Sequence, residues 1–406
     1  MKILLLCNKS PWPPAEGGPI AMYAMITGLI KAGHTVKVIA ANTSKYRVNP
    51  ASVPEAFQKQ TGIEFVDIDL RIKVKDALIN FLSGQSYHVT RFRTAAFEKK
   101  LIEVLTTSEF DIIQAEMLYM TVYNDIIRKY SKARFVLRSH NIEHLIWQRI
   151  AINTRNPVKR YYLKHLFLTL KNYELEMLQK LDGIVAITPT DAAFLKKHSG
   201  YTPVISIPFG IELDKYKTSV SQPAETDLFH IGSMNWYPNE EGILWFLSKV
   251  WPLITQEMPS LKFYLAGREM PDWLRNLNSR NVEIVGEVPD ALEFMNKHAV
   301  MVVPLFSGSG IRIKIIEAMA AGRAVISTEI GAEGIRVTQG EDILIANTAD
   351  DFIEMIRKVQ ENGLRQKIGD NARKLVLDQH DNTLLMSHLT EFYQKLLQSG
   401  LKRKDN

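Results

Sequence analysis

Residues 3–40 read ILLLCNKSPWPPAEGGPIAMYAMITGLIKAGHTVKVIA. The apolar run at residues 3–7 is followed by a loop rich in proline and glycine, a helical pattern over residues 20–32 and a second apolar run at residues 36–40. Strands that are apolar without alternation are buried on both faces, as in a parallel sheet that helices cover. The stretch therefore predicts a β-loop-α-β unit and the fold class α/β.

The same alternation continues along the chain in two series. The first has apolar runs at residues 110–114, 135–138, 183–187 and 204–207, and the second at residues 228–231, 261–266, 282–285, 300–303, 324–327 and 343–345. Between them, residues 215–227 are polar and are typical of a linker or long turn. Because this stretch interrupts the rhythm, we expect two Rossmann-like domains and not one eight-stranded barrel.

Three helical patterns carry specific expectations. Residues 239–254 predict a helix with Asn239 as N-cap and two glutamates in its first turn. Residues 158–181 mix basic and apolar side chains, which is compatible with a helix on a membrane, but the apolar residues are spread around the helix and favour packing within the domain. Residues 383–397 predict a final helix whose apolar side chains need a surface to cover.

Composition and charge narrow the class of protein. The 406 residues are 46% hydrophobic and 23% charged, which is typical of a globular protein of two or three domains. Residues 1–205 contain 28 basic and 17 acidic side chains, a net charge of +11, whereas the remainder contains 22 and 27, a net charge of −5. A basic half can face phosphates, anionic lipids or nucleic acid. Since the basic residues are dispersed and no recognition motif is present, we do not expect nucleic-acid binding.

The cysteine content and the apolar runs bear on the compartment. Cys7 is the only cysteine, so an internal disulfide is excluded and a reducing cytoplasm is favoured. The apolar run at residues 3–7 is too short for a signal peptide, because Pro11 follows at once, and no run of about 18 uncharged apolar residues is present. We therefore expect a cytoplasmic protein, with peripheral contact to an anionic membrane as an open alternative.

The densest chemical signal is the segment at residues 304–322, PLFSGSGIRIKIIEAMAAG. It follows a predicted strand and opens a predicted helix, which is where open parallel sheets bind ligands. Gly308 and Gly310 let the backbone approach a ligand closely, and the free amides of a helix start attract anions. A solvated, glycine-rich connection is the alternative interpretation.

Three charged side chains strengthen the ligand interpretation. Arg312 and Lys314 place two cations at the start of the helix, where they oppose the helix dipole. A bound polyanion removes this conflict. Glu317 lies about one turn beyond Lys314 and is an acceptor suited to the hydroxyl groups of a sugar.

This segment resembles the helix-opening motif of the retaining, GT-B-fold glycosyltransferases of the nucleotide-sugar-dependent "group 1" family, also described as glycosyltransferase family 4-like. In that family two glutamates eight positions apart flank the donor, and the second matches Glu317. The first position holds Ser309, as in a branch with Gly-x-Gly-x-Arg-x-Lys before Glu-Ala. In that branch the backbone amides around Gly310 and Ile311 are left to make the donor contacts.

Further motifs extend the resemblance over nearly the whole chain, in the family's order. They are residues 13–18 in the loop after the first strand, residues 207–212 before the second domain, residues 229–234 and 265–268 at the first two donor-domain strands, and residues 285–288 in a loop that holds the nucleotide base. By this resemblance six more residues join the donor site: Gly17, Gly18, Gly232, Ser233, Arg268 and Val288. The first motif is not Gly-x-Gly-x-x-Gly, which argues against a dinucleotide fingerprint.

A histidine in the first half completes the predicted site. His140 follows a predicted strand and resembles the family's histidine at the sugar edge of the cleft, which the backbone positions and which does not act as a base. His144 lies one helical turn further on, but no third ligand is evident and the family needs no catalytic metal, so we expect neither zinc nor another metal. The predicted catalytic residues are His140, Arg312 and Lys314.

The resemblance implies a GT-B fold with two Rossmann-like domains facing across a cleft. Residues 1–208 would form the acceptor domain, residues 209–382 the donor domain, and residues 383–400 a terminal helix that crosses back to the first domain. The implied activity is transfer of a hexosyl group from a nucleoside-diphosphate sugar to a glycan or lipid-linked acceptor, with retention of the anomeric configuration. It needs neither a metal nor a cofactor and serves surface polysaccharide or glycoconjugate biosynthesis. The alternatives are a GT-B protein that binds nucleotide or glycan without turnover, a nucleotide-sugar epimerase and an inverting transferase.

Overall fold

The computed structural model describes the chain except residues 15–16, 45–46, 72–83, 217–222, 224, 309, 362 and 400–406. The chain forms two compact units, of which the first comprises Met1–Gly210 and the chain from Asn382 onward, and the second Ile211–Asp381. In each unit helices flank a fully parallel sheet. The predicted α/β class with two Rossmann-like domains is confirmed.

The first unit has a seven-stranded sheet in the order β3-β2-β1-β4-β5-β6-β7. Its elements are β1 (Lys2–Cys7), α1 (Gly17–Lys31), β2 (Thr35–Thr43), α2 (Glu55–Thr61), β3 (Glu64–Ile68), α3 (Tyr87–Thr90), α4 (Ala95–Thr107), β4 (Ile112–Glu116), α5 (Asn124–Tyr130), β5 (Arg134–Ser139), α6 (Glu143–Asn153), α7 (Pro157–Leu178), β6 (Gly183–Ala186), α8 (Pro189–His198) and β7 (Val204–Ser206). The strand order reverses between β1 and β4, so the loops that follow these two strands diverge and leave a crevice at the carboxyl edge.

The second unit has a six-stranded sheet in the order β10-β9-β8-β11-β12-β13. Its elements are β8 (Leu228–Ile231), α9 (Tyr237–Lys249), α10 (Trp251–Glu257), β9 (Phe263–Ala266), α11 (Asp272–Arg275), β10 (Val282–Gly286), α12 (Ala291–Lys297), β11 (Val300–Val303), α13 (Ile313–Ala320), β12 (Ala324–Ser327), β13 (Leu344–Ile345), α14 (Ala349–Lys358) and α15 (Leu364–Gln379). Here the order reverses between β8 and β11, and the glycine-rich segment follows β11.

The terminal helix α16 (Asn382–Gln398) belongs to the first unit. Its buried residues include Leu389, Phe392 and Leu396, which share one hydrophobic core with Ile3 and Leu5 of β1. Full burial of an aliphatic or aromatic side chain of this size contributes about 1.5 to 3 kcal/mol. The helix therefore covers one face of the first sheet, which is the surface that its apolar pattern required.

The helix predicted over residues 239–254 is wrong in its bounds. Helix α9 begins at Tyr237 with Pro238 in its first turn, where the missing N–H group costs nothing, and Asn239 lies inside the helix as a buried residue. The helix ends at Lys249, and the separate helix α10 begins at Trp251 with Pro252 in its first turn. Asn239 is therefore not an N-cap, and its side chain is available for another role.

Helix α7 departs from the predicted packing on one of its two faces. Leu163, Leu166 and Leu170 are buried within the unit. Val158 and Tyr161, by contrast, are 79% and 69% exposed. Packing within the unit thus explains only part of the helix's apolar content. Among the described helices, none is both long enough and apolar enough to cross a membrane.

Candidate functional site

The segment singled out by its glycines and cations lies at the reversal point of the second sheet. Gly232 and Ser233 directly follow β8, and Gly308 and Gly310 lie in the connection from β11 to α13. Since β8 and β11 are hydrogen-bonded neighbours, their carboxyl ends bring these two loops together. Ser309 lies outside the described residues. The position is the one at which open α/β sheets bind their ligands.

Lys314 is held by two side chains that the sequence did not assign to the site. Its Nζ lies 2.8 Å from Asn239 Oδ1 and 3.2 Å from His230 Nε2. The His230 Nδ1 atom lies 2.7 Å from the Val302 carbonyl oxygen, which can only accept, so Nδ1 carries the hydrogen and Nε2 accepts from Lys314. Asn239 also donates from Nδ2 to the Ser233 carbonyl oxygen at 2.8 Å. The ammonium group therefore has a fixed position.

Gly232 provides the space for this arrangement. A Cβ atom at residue 232 would lie 2.8 Å from Asn239 Nδ2, 3.1 Å from Lys314 Nζ and 3.3 Å from His230 Nε2. Any side chain at this position would displace at least one of the three groups. The glycine is thus required by close packing around Lys314.

Burial changes the ionisation of this cluster. Burial, together with the nearby charge of Arg312, lowers the pKa of Lys314 to about 7. Burial and the Lys314 charge also hold the pKa of His230 well below its usual value, although the hydrogen bond to Val302 acts in the opposite direction. The histidine is therefore neutral at physiological pH. The lysine is poised to take up a proton when an anion binds beside it.

Arg312 supplies the second cation at the start of α13. It is buried, and its guanidinium carbon lies 5.2 Å from the centroid of the Trp236 ring. Its Nη1 donates to the Gly310 carbonyl oxygen. Gly308 has a φ of +100°, and a Cβ atom there would lie 2.8 Å from the Trp236 ring. Trp236 and the two glycines thus fix the course of the loop and the orientation of the arginine.

Glu317 lies one turn further along α13 and is half-buried. Burial raises its pKa to about 7, a shift that Lys215 opposes and Asp290 reinforces. Its charge in turn contributes to the raised pKa of the neighbouring Tyr216, after burial itself. The carboxyl group can therefore accept or donate a hydrogen bond near neutral pH.

Arg268 and Val288 belong to the adjoining strand ends and not to the lysine cluster. The Arg268 carbonyl oxygen accepts from the Met234 amide at 2.9 Å, which ties the end of β9 to the loop after β8, and Val288 follows β10. A pocket of about 340 Å³ opens at the ends of β9 and β10. Its lining residues are Gly267, Glu269, Met270, Arg275, Ile284, Gly286 and Glu287.

In the first unit, His140 is positioned by a buried carboxylate and not by the backbone alone, as the sequence suggested. Its Nε2 lies 2.8 Å from Glu116 Oε2, and Arg138 Nη1 lies 3.2 Å from the same oxygen. Burial alone would raise the pKa of Glu116, but Arg138 and His140 outweigh it and the pKa is lowered. Burial lowers the pKa of His140, and the Glu116 hydrogen bond only partly opposes it. His140 is therefore a neutral imidazole that donates to Glu116.

The carboxylate of Glu116 is connected to the terminal helix. Gln114 Nε2 donates to Glu116 Oε1 at 2.6 Å, and Tyr393 of α16 donates to Gln114 Oε1. Every residue in this series of hydrogen bonds is buried. A buried polar network with all of these bonds made restricts each of its side chains to one arrangement, so α16 contributes to the position of His140.

Gly17 and Gly18 begin α1 at the reversal point of the first sheet. The Lys9 side chain passes close to Gly18, where a Cβ atom would lie 2.8 Å from its Nζ, and no described atom lies within 4 Å of a Cβ atom at Gly17. The Lys9 charge contributes to lowering the pKa of His140. The structure thus groups Lys9, Gly18 and His140 in the first unit.

His144 has a structural role. Its Nδ1 lies 2.6 Å from Glu174 Oε2, and the Glu174 carboxylate also accepts from the backbone amides of Glu143 and His144 at 3.1 and 3.0 Å. Glu174 therefore caps the start of α6. Within the described part of the chain, no group of three or more His, Cys, Asp or Glu side chains could hold a metal ion.

Five residues of these clusters were missed in the sequence. They are Lys9, Glu116, His230, Trp236 and Asn239. His230 is the one polar residue of β8, and Glu116 shares the otherwise apolar β4 with Gln114. This signal could have identified them, since a buried polar side chain needs a specific partner. The positions of Lys9 and Trp236 depend on loop conformation, which has no comparable signal.

Comparisons with known proteins identify a sequence family and several relatives. Residues 225–362 match the sequence model of the family described as glycosyl transferases group 1. An uncharacterized 44.6 kDa protein in the cps region of Klebsiella pneumoniae is 22% identical over 401 residues, which cover 96% of this chain and 98% of that protein. A phosphatidyl-myo-inositol mannosyltransferase of Mycobacterium tuberculosis is 23% identical over 246 residues, which cover 56% of this chain and 63% of that protein.

Solved structures establish the fold. HepE of Anabaena, in a crystal structure with UDP-glucose, superimposes with a TM-score of 0.64 at 14% identity, over 97% of this chain and all of that chain. At this identity the likeness concerns the fold, which is GT-B.

Proposed function

We propose that this protein is a retaining glycosyltransferase, because residues 225–362 match the group 1 glycosyl transferase model and the chain has a GT-B fold. It transfers a hexosyl group from a nucleoside-diphosphate sugar to a glycan or lipid-linked acceptor, in surface polysaccharide or glycoconjugate biosynthesis. The observation that carries the proposal is the position of Lys314, which is half-buried at the reversal point of the second sheet, held by Asn239 and His230, and accompanied by the buried Arg312.

The donor diphosphate binds at residues 308–314 in this proposal. Arg312 and Lys314 stabilise the negative charge that develops on the leaving nucleoside diphosphate, because fixed cations in a partly dehydrated site need no reorganisation during the reaction. Glu317 holds ribose hydroxyls. The loops after β9 and β10, with Arg268 and Val288, hold the base end of the nucleotide. Two built-in cations supply the charge that a metal ion would otherwise bring, so the reaction is metal-independent.

Residues 1–208 and the terminal helix, which lie in the first unit, bind the acceptor. Residues 209–382, which contain the whole second unit, bind the donor. His140 contacts the transferred sugar with a neutral imidazole whose orientation Glu116 fixes, and Gly17 and Gly18 bring backbone amides to the substrates. The leaving phosphate takes the acceptor's proton on the same face of the sugar, so the mechanism needs no carboxylate nucleophile. The net charge of +11 on residues 1–205 suits a phosphate-bearing acceptor.

The relatives support this assignment through their own names. One is a mannosyltransferase that acts on a phosphatidyl-inositol, one belongs to a cps region, and the structural neighbour binds UDP-glucose. A lipid-linked acceptor and a nucleotide-sugar donor in this chain follow by analogy. The single cysteine, Cys7, supports a place in the cytoplasm, and the net charge of +11 on residues 1–205 supports peripheral contact with the inner face of a membrane.

A two-step assay tests the proposal. A thermal-shift panel of nucleotide sugars first identifies the donor through a rise in melting temperature. Release of nucleoside diphosphate from that donor is then measured with and without glycan and lipid-linked acceptors. Transfer by the wild type and its loss in the Lys314→Met variant support the proposal. A melting shift without turnover indicates a binding protein, interconversion of the sugar indicates an epimerase, and no melting shift with any nucleotide sugar refutes the donor site.

A further inference from the structure

The outward face of helix α7 and the end of α6 expose large apolar side chains to solvent. Val158 is 79% exposed, Tyr161 69% and Leu168 44%, and Ile152 at the end of α6 is 67% exposed. Soluble surfaces carry single apolar residues routinely, but a group of large ones on one short stretch of chain is typical of an interaction site. We call these four residues the apolar stripe.

Helix geometry places the three stripe residues of α7 opposite its packed face. Residues 158, 161 and 168 recur at intervals of three and seven, so they project from the same side of the helix. Leu163, Leu166 and Leu170 project from the other side and are buried in the unit. The apolar residues that spread the pattern around the helix therefore form a second, separate face that the unit itself does not cover.

The charges around the stripe have one sign. Residues 144–173 contain six Lys and Arg side chains and no Asp or Glu. Of these, Arg155, Lys159, Arg160 and Lys164 are exposed on the same stretch as the stripe. Arg160 also donates from Nε to the Thr154 carbonyl oxygen at 2.8 Å, which ties α7 to the connection from α6.

We propose that the apolar stripe and the four exposed cations of the same stretch dock the protein on the surface of an anionic lipid bilayer. Apolar side chains enter the boundary between headgroups and acyl chains, while Lys and Arg side chains remain among anionic headgroups, and both contributions are present here. A nucleic acid would engage the cations but leave Val158 and Leu168 in water, and a basic protein partner would be repelled. The surface shares no residue with those assigned to the donor, so its test does not depend on transferase activity.

A single fluorophore tests whether the stripe enters the bilayer. Cys7 is the only cysteine and is buried, and burial raises the pKa of its thiol, so the Val158→Cys variant adds one reactive thiol. An environment-sensitive dye on this thiol should shift its emission to the blue with vesicles of phosphatidylcholine and phosphatidylglycerol, but not with phosphatidylcholine alone. The matched control is Leu244→Cys, an exposed apolar position of the second unit, which should not respond. An equal response at both positions, or none at residue 158, overturns the proposal.

Charge and apolar variants separate the two contributions in a flotation assay. Charge reversal of Lys159 and Lys164 should weaken binding to anionic vesicles at least about twentyfold, since each basic residue near such a surface contributes about 1 kcal/mol. The control reverses Lys99 and Lys129, two exposed lysines outside this stretch, and should retain most of the binding. The Val158→Ser and Tyr161→Ser double variant should also lose most of the binding. The docking surface is refuted if the test and control reversals lose binding equally, or if the serine variant binds vesicles as well as the wild type. It is also refuted if the protein binds a DNA duplex more tightly than vesicles.

Discussion

The ionisation of Lys314 predicts how donor binding depends on pH. With its pKa lowered to about 7 by burial, about half of the donor-free protein carries the ammonium charge at pH 7. A bound diphosphate favours the charged form and raises the pKa in the complex, so binding takes up a proton. The charged ammonium group therefore makes its full contribution to donor affinity below pH 7. This contribution is lost as the pH rises through 7 toward the pKa of Lys314 in the complex. From pH 6 to pH 8 the donor Kd should rise about tenfold.

The Lys314→Met variant should remove both the affinity and its pH dependence. Loss of a charge-assisted hydrogen bond costs about 1.5 to 3 kcal/mol, which is a Kd about 10 to 150 times higher at pH 6. At pH 8 the two proteins should differ about tenfold less, because the wild type is then mostly uncharged at this residue. Isothermal titration with an intact nucleotide sugar is the appropriate assay, because the diphosphate of such a donor carries no group that titrates between pH 6 and 8.

Glu317 provides the matched control, because the pKa of its carboxyl group is also raised to about 7. The Glu317→Gln variant should keep the tenfold dependence on pH, whatever its effect on absolute affinity. The reasoning about Lys314 fails if Lys314→Met retains the wild-type pH dependence, or if Glu317→Gln abolishes it. It also fails if the wild-type Kd is constant from pH 6 to pH 8.

Three further predictions concern packing, the buried carboxylate and metal. Gly232→Ala places a Cβ atom 3.1 Å from Lys314 Nζ and 2.8 Å from Asn239 Nδ2. Donor affinity measured by titration should therefore fall about tenfold or more, while the melting temperature changes by only a few degrees. Donor affinity equal to that of the wild type would contradict the packing argument. Glu116→Gln leaves the buried Arg138 without its counter-charge and should lower the free energy of unfolding by about 3 to 5 kcal/mol in denaturant titrations, whereas a change below 1 kcal/mol would show that the pair is not needed. Donor turnover should be unchanged after dialysis against EDTA, and a loss that added Mg²⁺ or Mn²⁺ restores would refute the metal-independent mechanism.

The sheets could be predicted from the sequence because their strands are buried on both faces. Residues 300–303 are a continuous apolar run, and residues 228–231 and 324–327 are apolar except for His230 and Ser327. Each of the three coincides with a strand of the second sheet. The edge strand at Glu64–Ile68 was not predicted, because it is short and two of its five residues are acidic. Burial on both faces thus leaves a pattern in the sequence that this edge strand lacks.

The cations of the candidate site could be found from the sequence, but the residues that hold them could not. Arg312 and Lys314 stand out locally, since they oppose the dipole of the helix that they begin. Asn239 contacts Lys314 across 75 residues of chain, and its pattern beside two glutamates favoured an N-cap. Tyr393 and Gln114 meet across 279 residues. Contacts of this kind follow from strand order and helix packing, which local patterns do not contain.

Helix α7 shows the same limit at the surface. The apolar residues around the helix predicted packing within the domain, but a sequence pattern cannot distinguish a covered face from an uncovered one. The structure assigns Leu163, Leu166 and Leu170 to the core and leaves Val158 and Tyr161 in solvent.

The anomeric configuration of the first product tests the central claim most directly. Proton NMR can follow the anomeric signals while the purified protein consumes its nucleotide sugar, with water or an added acceptor receiving the sugar. We predict that the donor disappears, that the first sugar product has the donor's configuration, and that Lys314→Met slows both changes about 10-fold or more. A first product of inverted configuration would contradict a retaining mechanism, and equal rates for the two proteins would contradict the role of Lys314 in the donor site.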